Sequence, residues 1–214
     1  MTRLKLKFDL HVHTTGSKDA FTKPSDLGSL CKLKGLDGIA ITDHDQLCME
    51  VPEGLAGIRG MEISSLNGHI IGLGLSSPVK KGLSADETIR EIHRLGGLAI
   101  IPHPYDILRS SVNPELLAVR PDAIEVMNAS SILHSLSWKK AINFARERGW
   151  PPVAGSDSHI PQTLGTAYTI IENDSDDPAS ILKAIRRGEV TPVGGTIRLS
   201  LRVRKLLLQA RRRA

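Results

Sequence analysis

Short aliphatic runs alternate with helix-patterned segments along almost the whole of this 214-residue chain, and most of its eight histidines fall at the ends of those runs. Such alternation is the habit of a βα repeat with parallel strands. Strands are expected near residues 7–12, 38–42, 58–64, 98–102, 123–127, 152–155 and 167–171, about seven in all. Asn67-Gly68 lies between two apolar runs and is a hairpin signal, so the third strand should return antiparallel through residues 69–75. Ser84-Ala-Asp-Glu87 reads as a capping box opening a helix with Ile89, Ile92 and Leu95 on one stripe, closed by Gly96-Gly97. A second helix is expected over residues 137–148, stopped by Gly149 and the Pro151-Pro152 pair, and a third between Asp177-Pro178 and Gly188. No linker or charge run interrupts the series. One domain is therefore expected over residues 1–196, followed by a basic C-terminal tail or terminal helix of the same domain over residues 197–214.

Composition narrows the class. A chain of this length can bury most of its apolar surface without disulfide or metal staples. Cys31 and Cys48 lie far from any Cys-x-x-Cys spacing, which fits a reducing compartment and argues against a disulfide framework. The first seven residues are charged and alternating, unlike a signal peptide, and no window is apolar enough to span a bilayer. The expectation is a soluble, cytoplasmic protein with no membrane partner. Much of the net charge of +5 sits between Arg198 and Arg213. A packed terminal strand or helix with a solvated basic face is the plainer reading of that tail, and a nucleic-acid arm the sharper one. With two Trp, two Tyr and three Phe, the chain has few rings for the stacking platforms of single-strand binders.

The strand ends carry the chemistry. In an extended Phe8-Asp9-Leu10-His11-Val12-His13, the residues Asp9, His11 and His13 share one face and Phe8, Leu10 and Val12 the other, with the imidazoles about 7 Å apart along the backbone. Neutral imidazole is the commonest metal ligand, and Asp9 could accept the other ring N–H and fix the tautomer. Lys5 and Lys7 would join the face of His11 if the strand began early, which favours a start near Lys7. The next strand runs into Thr42-Asp43-His44-Asp45, the hairpin holds Glu62 and His69, the fourth strand ends in His103-Pro104, and the sixth runs into Asp157-Ser158-His159. Glu62 lies inside an apolar strand and would be costly to bury without a cation. In a closed βα barrel the C-terminal strand ends converge on one mouth, so these scattered groups would meet. His93 sits mid-helix and reads as exposed, whereas His134, in a Ser-rich helix approach, is an incidental surface residue or a substrate contact.

Taken together, Asp9-Leu-His11-Val-His13, Thr42-Asp43-His44, the Glu62 segment, His69, His103-Pro104 and Asp157-Ser-His159 make the chain resemble the polymerase and histidinol phosphatase (PHP) superfamily of metal-dependent phosphoesterases. The resemblance implies an α/β fold of one type, a distorted seven-stranded, TIM-like (β/α) barrel. It implies that His11, His13, Glu62 and Asp157 hold one metal ion, that Glu62 bridges to a second held by His69 and His103, and that Asp19, His44 and His159 hold a third. Some nucleotide-directed members carry a long insertion between the positions matching His69 and His103. Here only residues 70–102 lie between them, so no separate capping domain is expected there. Arg109 is a candidate phosphate contact, farther beyond His103-Pro104 than the family's usual basic residue.

The implied reaction is hydrolysis of a phosphomonoester, a small phosphorylated metabolite or nucleotide, by a metal-activated hydroxide at a trinuclear site. Mixed imidazole and carboxylate ligands suit Mn, Fe or Zn better than Mg or Ca. Asp43 and Asp45 are open as supporting or acid groups, with Arg109 and His134 as substrate contacts. Two other readings stand beside this one: a phosphodiesterase or exonuclease on nucleic acid, and a non-catalytic RNA-binding subunit that uses the basic tail. Relatives of the second kind typically lose ligands, whereas no position of the ligand pattern is missing here.

Overall fold

The computed structural model describes residues 3–48, 51 and 54–213. Its strands are β1 (Leu4–Val12), β2 (Gly38–Ile41), β3 (Ala56–Ser65), β4 (Gly68–Leu73), β5 (Leu98–Ile101), β6 (Ala123–Asn128), β7 (Pro152–Gly155), β8 (Tyr168–Asn173) and β9 (Val190–Val193). The helices are α1 (Leu27–Lys34), α2 (Ala85–Arg94), α3 (His134–Arg148), α4 (Pro178–Arg186) and α5 (Leu199–Arg213). The strands form one sheet in the order β7-β6-β5-β4-β3-β2-β1-β8-β9. The sheet curls until its ends nearly meet. Val12 at the end of β1 bridges to Ser158 just past β7, where the His13 amide donates to the Ser158 carbonyl at 2.9 Å. Lower down, the Thr169 hydroxyl of β8 bonds both the amide and the carbonyl of Ala154 on β7, at 2.8 and 2.9 Å.

The described residues thus hold nine strands, where about seven were expected. The hairpin return is β4, and β9 is the strand that pattern reading misses. It is short and carries Pro192, which counts against a strand except at an edge, where the missing N–H has no ladder partner to lose. Nor is the sheet a uniform parallel repeat. Strands β1 to β3 run parallel, as do β5 to β7, but β4 is antiparallel to both neighbours and β8 to both of its own. The C-terminal ends of β1, β2, β3, β5, β6 and β7 and the start of β4 consequently share one mouth.

Strand β1 departs from simple alternation. Its register with β2 shifts between Asp9 and Val12. Leu6, Phe8 and Leu10 pack with Ala40, Ile58 and Leu98, whereas Val12 packs with Ile39, Ile41 and Leu27 of α1. The expected common face of Asp9, His11 and His13 is therefore corrected, because the irregularity re-aims the residues beyond it toward the mouth. It also removes the conflict over the lysines. The strand begins at Leu4, yet Lys5 and Lys7 are exposed, Lys5 3.6 Å from Glu172 and Lys7 over the Tyr168 ring.

The helices close the remaining surfaces. Ser84 and Glu87 form the capping box, with the Glu87 amide donating to Ser84 Oγ at 3.3 Å and the Ser84 amide to Glu87 Oε2 at 2.9 Å. This brings Ile89 and Ile92 of α2 onto Met61, Ile70 and Ala99. Helix α4, capped by Asp177 on the Ser180 amide at 3.0 Å, seals the end of the barrel away from the histidines with Ile181 and Ile185 against Leu6 and Phe8. Helix α3 ends at Gly149, whose φ of 61° is the left-handed cap that glycine accepts without strain. Neither cysteine forms a disulfide, and no helix among the described residues is long and apolar enough to cross a membrane.

Candidate metal centre

Five imidazoles surround one carboxylate at the barrel mouth. Glu62 Oε2 lies 3.6 Å from His11 Nε2, 3.3 Å from His13 Nε2 and 3.0 Å from His44 Nδ1. Its Oε1 lies 3.0 Å from His69 Nδ1 and 3.1 Å from His103 Nε2. Asp157 Oδ1 lies 3.8 Å from His11 Nε2, 3.4 Å from His13 Nε2 and 3.3 Å from His159 Nδ1. At the outer side Asp19 Oδ2 is 3.0 Å from His159 Nε2, and Asp19 Oδ1 is 4.0 Å from His44 Nε2. The structure thus brings the nine candidate ligands into one cluster.

Three buried atoms of this cluster, His11 Nε2, His13 Nε2 and Asp157 Oδ1, have no hydrogen-bond partner among the described residues. Leaving such an atom unsatisfied costs about 1–3 kcal/mol. Aimed together at one spot beside Glu62 Oε2, they are placed as the ligands of a shared ion are, since atoms each about 2.1 Å from one ion lie roughly 3 to 3.5 Å apart. The donor atoms of His11, His13 and Glu62 lie within 4.8 Å of one another, as do those of His44, Glu62 and His69 and those of His13, His44 and His159. His44 therefore stands between the Glu62 side and the Asp19 side. Nitrogen and carboxylate donors in this mixture fit a borderline divalent ion.

The crowding sets the charges. Burial opposes protonation of His11, His13 and His69, but the carboxylates beside them raise all three above the ordinary imidazole value. Binding a metal ion would therefore displace protons from these rings. Burial opposes the charge on Glu62, but the imidazoles, His11 foremost, hold its carboxyl well below the usual range. Burial likewise opposes Asp157, and the Arg109 guanidinium followed by His11 holds it well below the usual range. Burial, helped by the neighbouring His13, pushes His159 down to about 4, which keeps its ring neutral and able to ligate.

Behind the ligands stands a ring of partners that set ring orientation. His11 Nδ1 faces Glu125 Oε1 at 3.1 Å, which leaves Nε2 free for the cluster. Glu125 Oε2 also accepts from the His103 amide at 2.8 Å and from Asn128 Nδ2 at 2.9 Å. Gly155 makes room for this pair, because a Cβ there would stand 2.5 Å from His11 Cβ and 2.8 Å from Glu125 Oε1. His13 Nδ1 faces Ser17 Oγ at 3.2 Å, and Ser17 in turn donates to Asp43 Oδ1 at 2.6 Å. His103 Nδ1 faces Ser111 Oγ at 3.1 Å. His103 and Asp157 both have positive φ, 33° and 52°, a strained backbone held in place by these surroundings that turns each side chain inward.

Several expectations change here. Asp9 does not orient a ring. Its buried carboxylate accepts the amides of His11, Ser156 and Gly165 at 3.3, 2.9 and 2.9 Å, tying the end of β1 to the segment that carries Asp157. Glu125 holds the role proposed for Asp9, and it carries the signal that singled out Glu62: a carboxylate inside the apolar strand Ala-Ile-Glu-Val-Met. Asp43 accepts from the amides and hydroxyls of both Thr14 and Ser17. Asp45 accepts from the amide and hydroxyl of Ser64 at 2.8 and 3.0 Å. Neither lines the cleft, and their contacts are those of supporting groups. His134 opens α3 with its ring against Trp138 and also lies off the cleft, and His93 bonds Asp122 at 2.8 Å on the exposed side of α2.

Over the cluster lies a cleft of about 440 Å³. Its floor includes Asp19, His44, His69, Asp157 and His159, its flank Arg109, and its opposite wall the α5 residues Leu201, Arg202, Lys205, Leu206 and Gln209. Arg109 donates to Asp157 Oδ2 through Nη1 and to Ser130 Oγ at 2.6 Å through Nη2. Helix α5 is no free arm. Arg202 donates to the carbonyls of Ala129, Ser130, Ser131 and Ile197, Gln209 to Asp19 O at 3.2 Å, and Arg212 to Lys18 O and Ala20 O at 2.6 and 3.1 Å.

The PHP domain profile matches residues 9–112, and a PHP-associated profile matches residues 137–190. The uncharacterized protein MJ1587 of Methanocaldococcus jannaschii is 34% identical over 157 residues, covering 64% of this chain and 92% of its own. The probable phosphatase YcdX of Escherichia coli K12 is 30% identical over 199 residues, covering 73% of this chain and 80% of its own. Among solved structures, a two-domain protein of Bacteroides vulgatus containing a predicted PHP-like metal-dependent phosphoesterase superposes with a TM-score of 0.73 at 20% identity, over 90% of this chain and 66% of that one. By fold, by ligand pattern and by sequence, the chain belongs to the PHP family of metal-dependent phosphoesterases.

Proposed function

We propose that this protein hydrolyses phosphomonoesters, on a small phosphorylated metabolite or nucleotide, at a site for up to three divalent ions, Mn, Fe or Zn. The observation that carries the reading is the convergence of three unpartnered buried atoms, on His11, His13 and Asp157, beside the shared carboxylate of Glu62. In this reading His11, His13, Glu62 and Asp157 hold one ion, Glu62 with His69 and His103 a second, and Asp19, His44 and His159 a third. Bound divalent ions activate water as a nucleophile and neutralise charge on the phosphoryl oxygens. The chain's own work is orientation. Glu125, Ser17 and Ser111 hold three of the rings so that one nitrogen of each faces the cluster. Arg109 keeps Asp157 ionised and presents a guanidinium edge to the cleft. Three divalent ions against Asp19, Glu62 and Asp157 leave the floor positive, which suits a phosphate dianion better than a diester monoanion.

The test is release of 4-nitrophenol from 4-nitrophenyl phosphate with each metal in turn. Turnover should require metal and fall on the order of 100- to 1000-fold in His11→Ala and Asp157→Asn, the scale on which losing one electrostatic element of a site is felt. Unchanged turnover in both purified variants would overturn the assignment.

A further inference from the structure

Among the described residues Arg109, Arg202 and Lys205 bring cationic side chains to the cleft, and two of the three are committed. Arg109 is bonded to Asp157 and Ser130, and Arg202 to four backbone carbonyls. Lys205 lines the same cleft and makes no hydrogen bond or ion pair among the described residues. Its position is built all the same. On an α-helix, residues spaced by three and four share a face, and Arg202, Lys205, Gln209 and Arg212 follow that spacing. The first and the last two are pinned to the body, so Lys205 is held midway between the pins and turned inward. It is half-buried, while Arg204 beside it is exposed. Burial draws its ammonium below the usual lysine value, while Asp157 and Asp19 across the cleft hold it up.

We propose that Lys205 is a phosphate-binding residue of the cleft, placed by α5 to meet the outer oxygens of a phosphomonoester and so to favour dianionic monoesters over diesters. This rests on the phosphoesterase reading and adds a residue from outside the strand ends. A lysine ammonium is a compact point charge with rotatable donors, suited to a phosphate whose orientation is set by other groups. The diester lacks the second charge that would engage it. The half-burial of Lys205 makes the interaction stronger than it would be in water. The adjoining Leu201 and Leu206 give the wall an apolar part, which fits a small ester body and not an extended polyanion.

The experiment uses the full-length, manganese-loaded protein and the variants Lys205→Met, Lys205→Arg and Arg204→Met. Inorganic phosphate is titrated in by calorimetry after excess metal is removed. Turnover is compared on 4-nitrophenyl phosphate and bis(4-nitrophenyl) phosphate. Lys205→Met should weaken phosphate binding roughly 10- to 100-fold, the worth of a charge-assisted hydrogen bond. It should lower kcat/KM on the monoester by a similar factor, mainly through KM, and leave the diester little changed. Lys205→Arg should recover part of the loss, and Arg204→Met, on the exposed face, should match the wild type. Phosphate affinity unchanged in Lys205→Met, or equal losses on both esters with no rescue by arginine, would overturn the proposal. If the wild type hydrolyses neither ester, the phosphoesterase reading fails, and the phosphate titration still decides the role of Lys205.

Discussion

At the floor of the cleft three of the ligand rings are held from behind: His11 by the buried Glu125, His13 by the buried Ser17 and His103 by the half-buried Ser111. At the roof, α5 is held by Arg202, Gln209 and Arg212 reaching backbone carbonyls, while its Leu199, Val203, Leu206 and Leu207 remain exposed. The floor is over-determined at these three rings, because ring, backbone and neighbours agree on one placement. The roof is tethered at a few points and contributes charge and shape. Changes to the floor should therefore disturb metal retention and folding, and changes to the roof should disturb affinity for substrate.

The largest effect on folding should come from Asp9. Burial raises its carboxyl from 3.8 to about 6, so between those two values the folded protein holds a proton there that the unfolded chain releases. Its contribution to stability is full below the unfolded value and is lost as pH rises through about 6. The difference in urea-unfolding free energy between wild type and Asp9→Asn should shift in favour of the wild type by about 2.5 kcal/mol between neutral pH and pH ~4. A difference independent of pH would mean that the floor's anchor is not desolvated.

Next in size is Glu125→Gln. It keeps the shape and removes the charge that orients His11, so metal affinity should fall about 10- to 100-fold while the fold is kept. Competition with a metallochromic chelator reads this directly. Affinity equal to that of the wild type would place Glu125 outside the metal centre.

The smallest effect should come from the roof. Arg212→Ala removes the bonds to Lys18 O and Ala20 O and the guanidinium over the Phe21 ring, with an expected cost of about 1 kcal/mol in urea unfolding and no change in metal content. Loss of metal in this variant would erase the distinction between roof and floor.

The same contrast explains what could be read from the amino-acid sequence. The ligands were legible because imidazoles and carboxylates recur where aliphatic runs end, and because Glu62 is an anomaly inside its strand. Glu125 is the same anomaly on β6, but it stands in no histidine motif, so nothing drew it into the site. The irregularity in β1 has no residue signature, since Asp9-Leu-His-Val alternates like any strand, and only pairing with β2 reveals the shift. Strand β9 was concealed by Pro192 and by its edge position. In α5 basic residues lie on both faces, so the inward set, Arg202, Lys205 and Arg212, is hidden among outward ones such as Arg204 and Arg211. Period-two alternation at its start points to a strand, and the helical spacing emerges only over three turns.

The central claim is that the cluster around Glu62 holds divalent ions. Crystals grown with manganese and measured at wavelengths on either side of its absorption edge test it most directly. The account predicts anomalous peaks within about 2–2.5 Å of His11 Nε2, His13 Nε2 and Glu62 Oε2, with further density toward His69 and His159. Fully ordered side chains with no anomalous peak among them would contradict it.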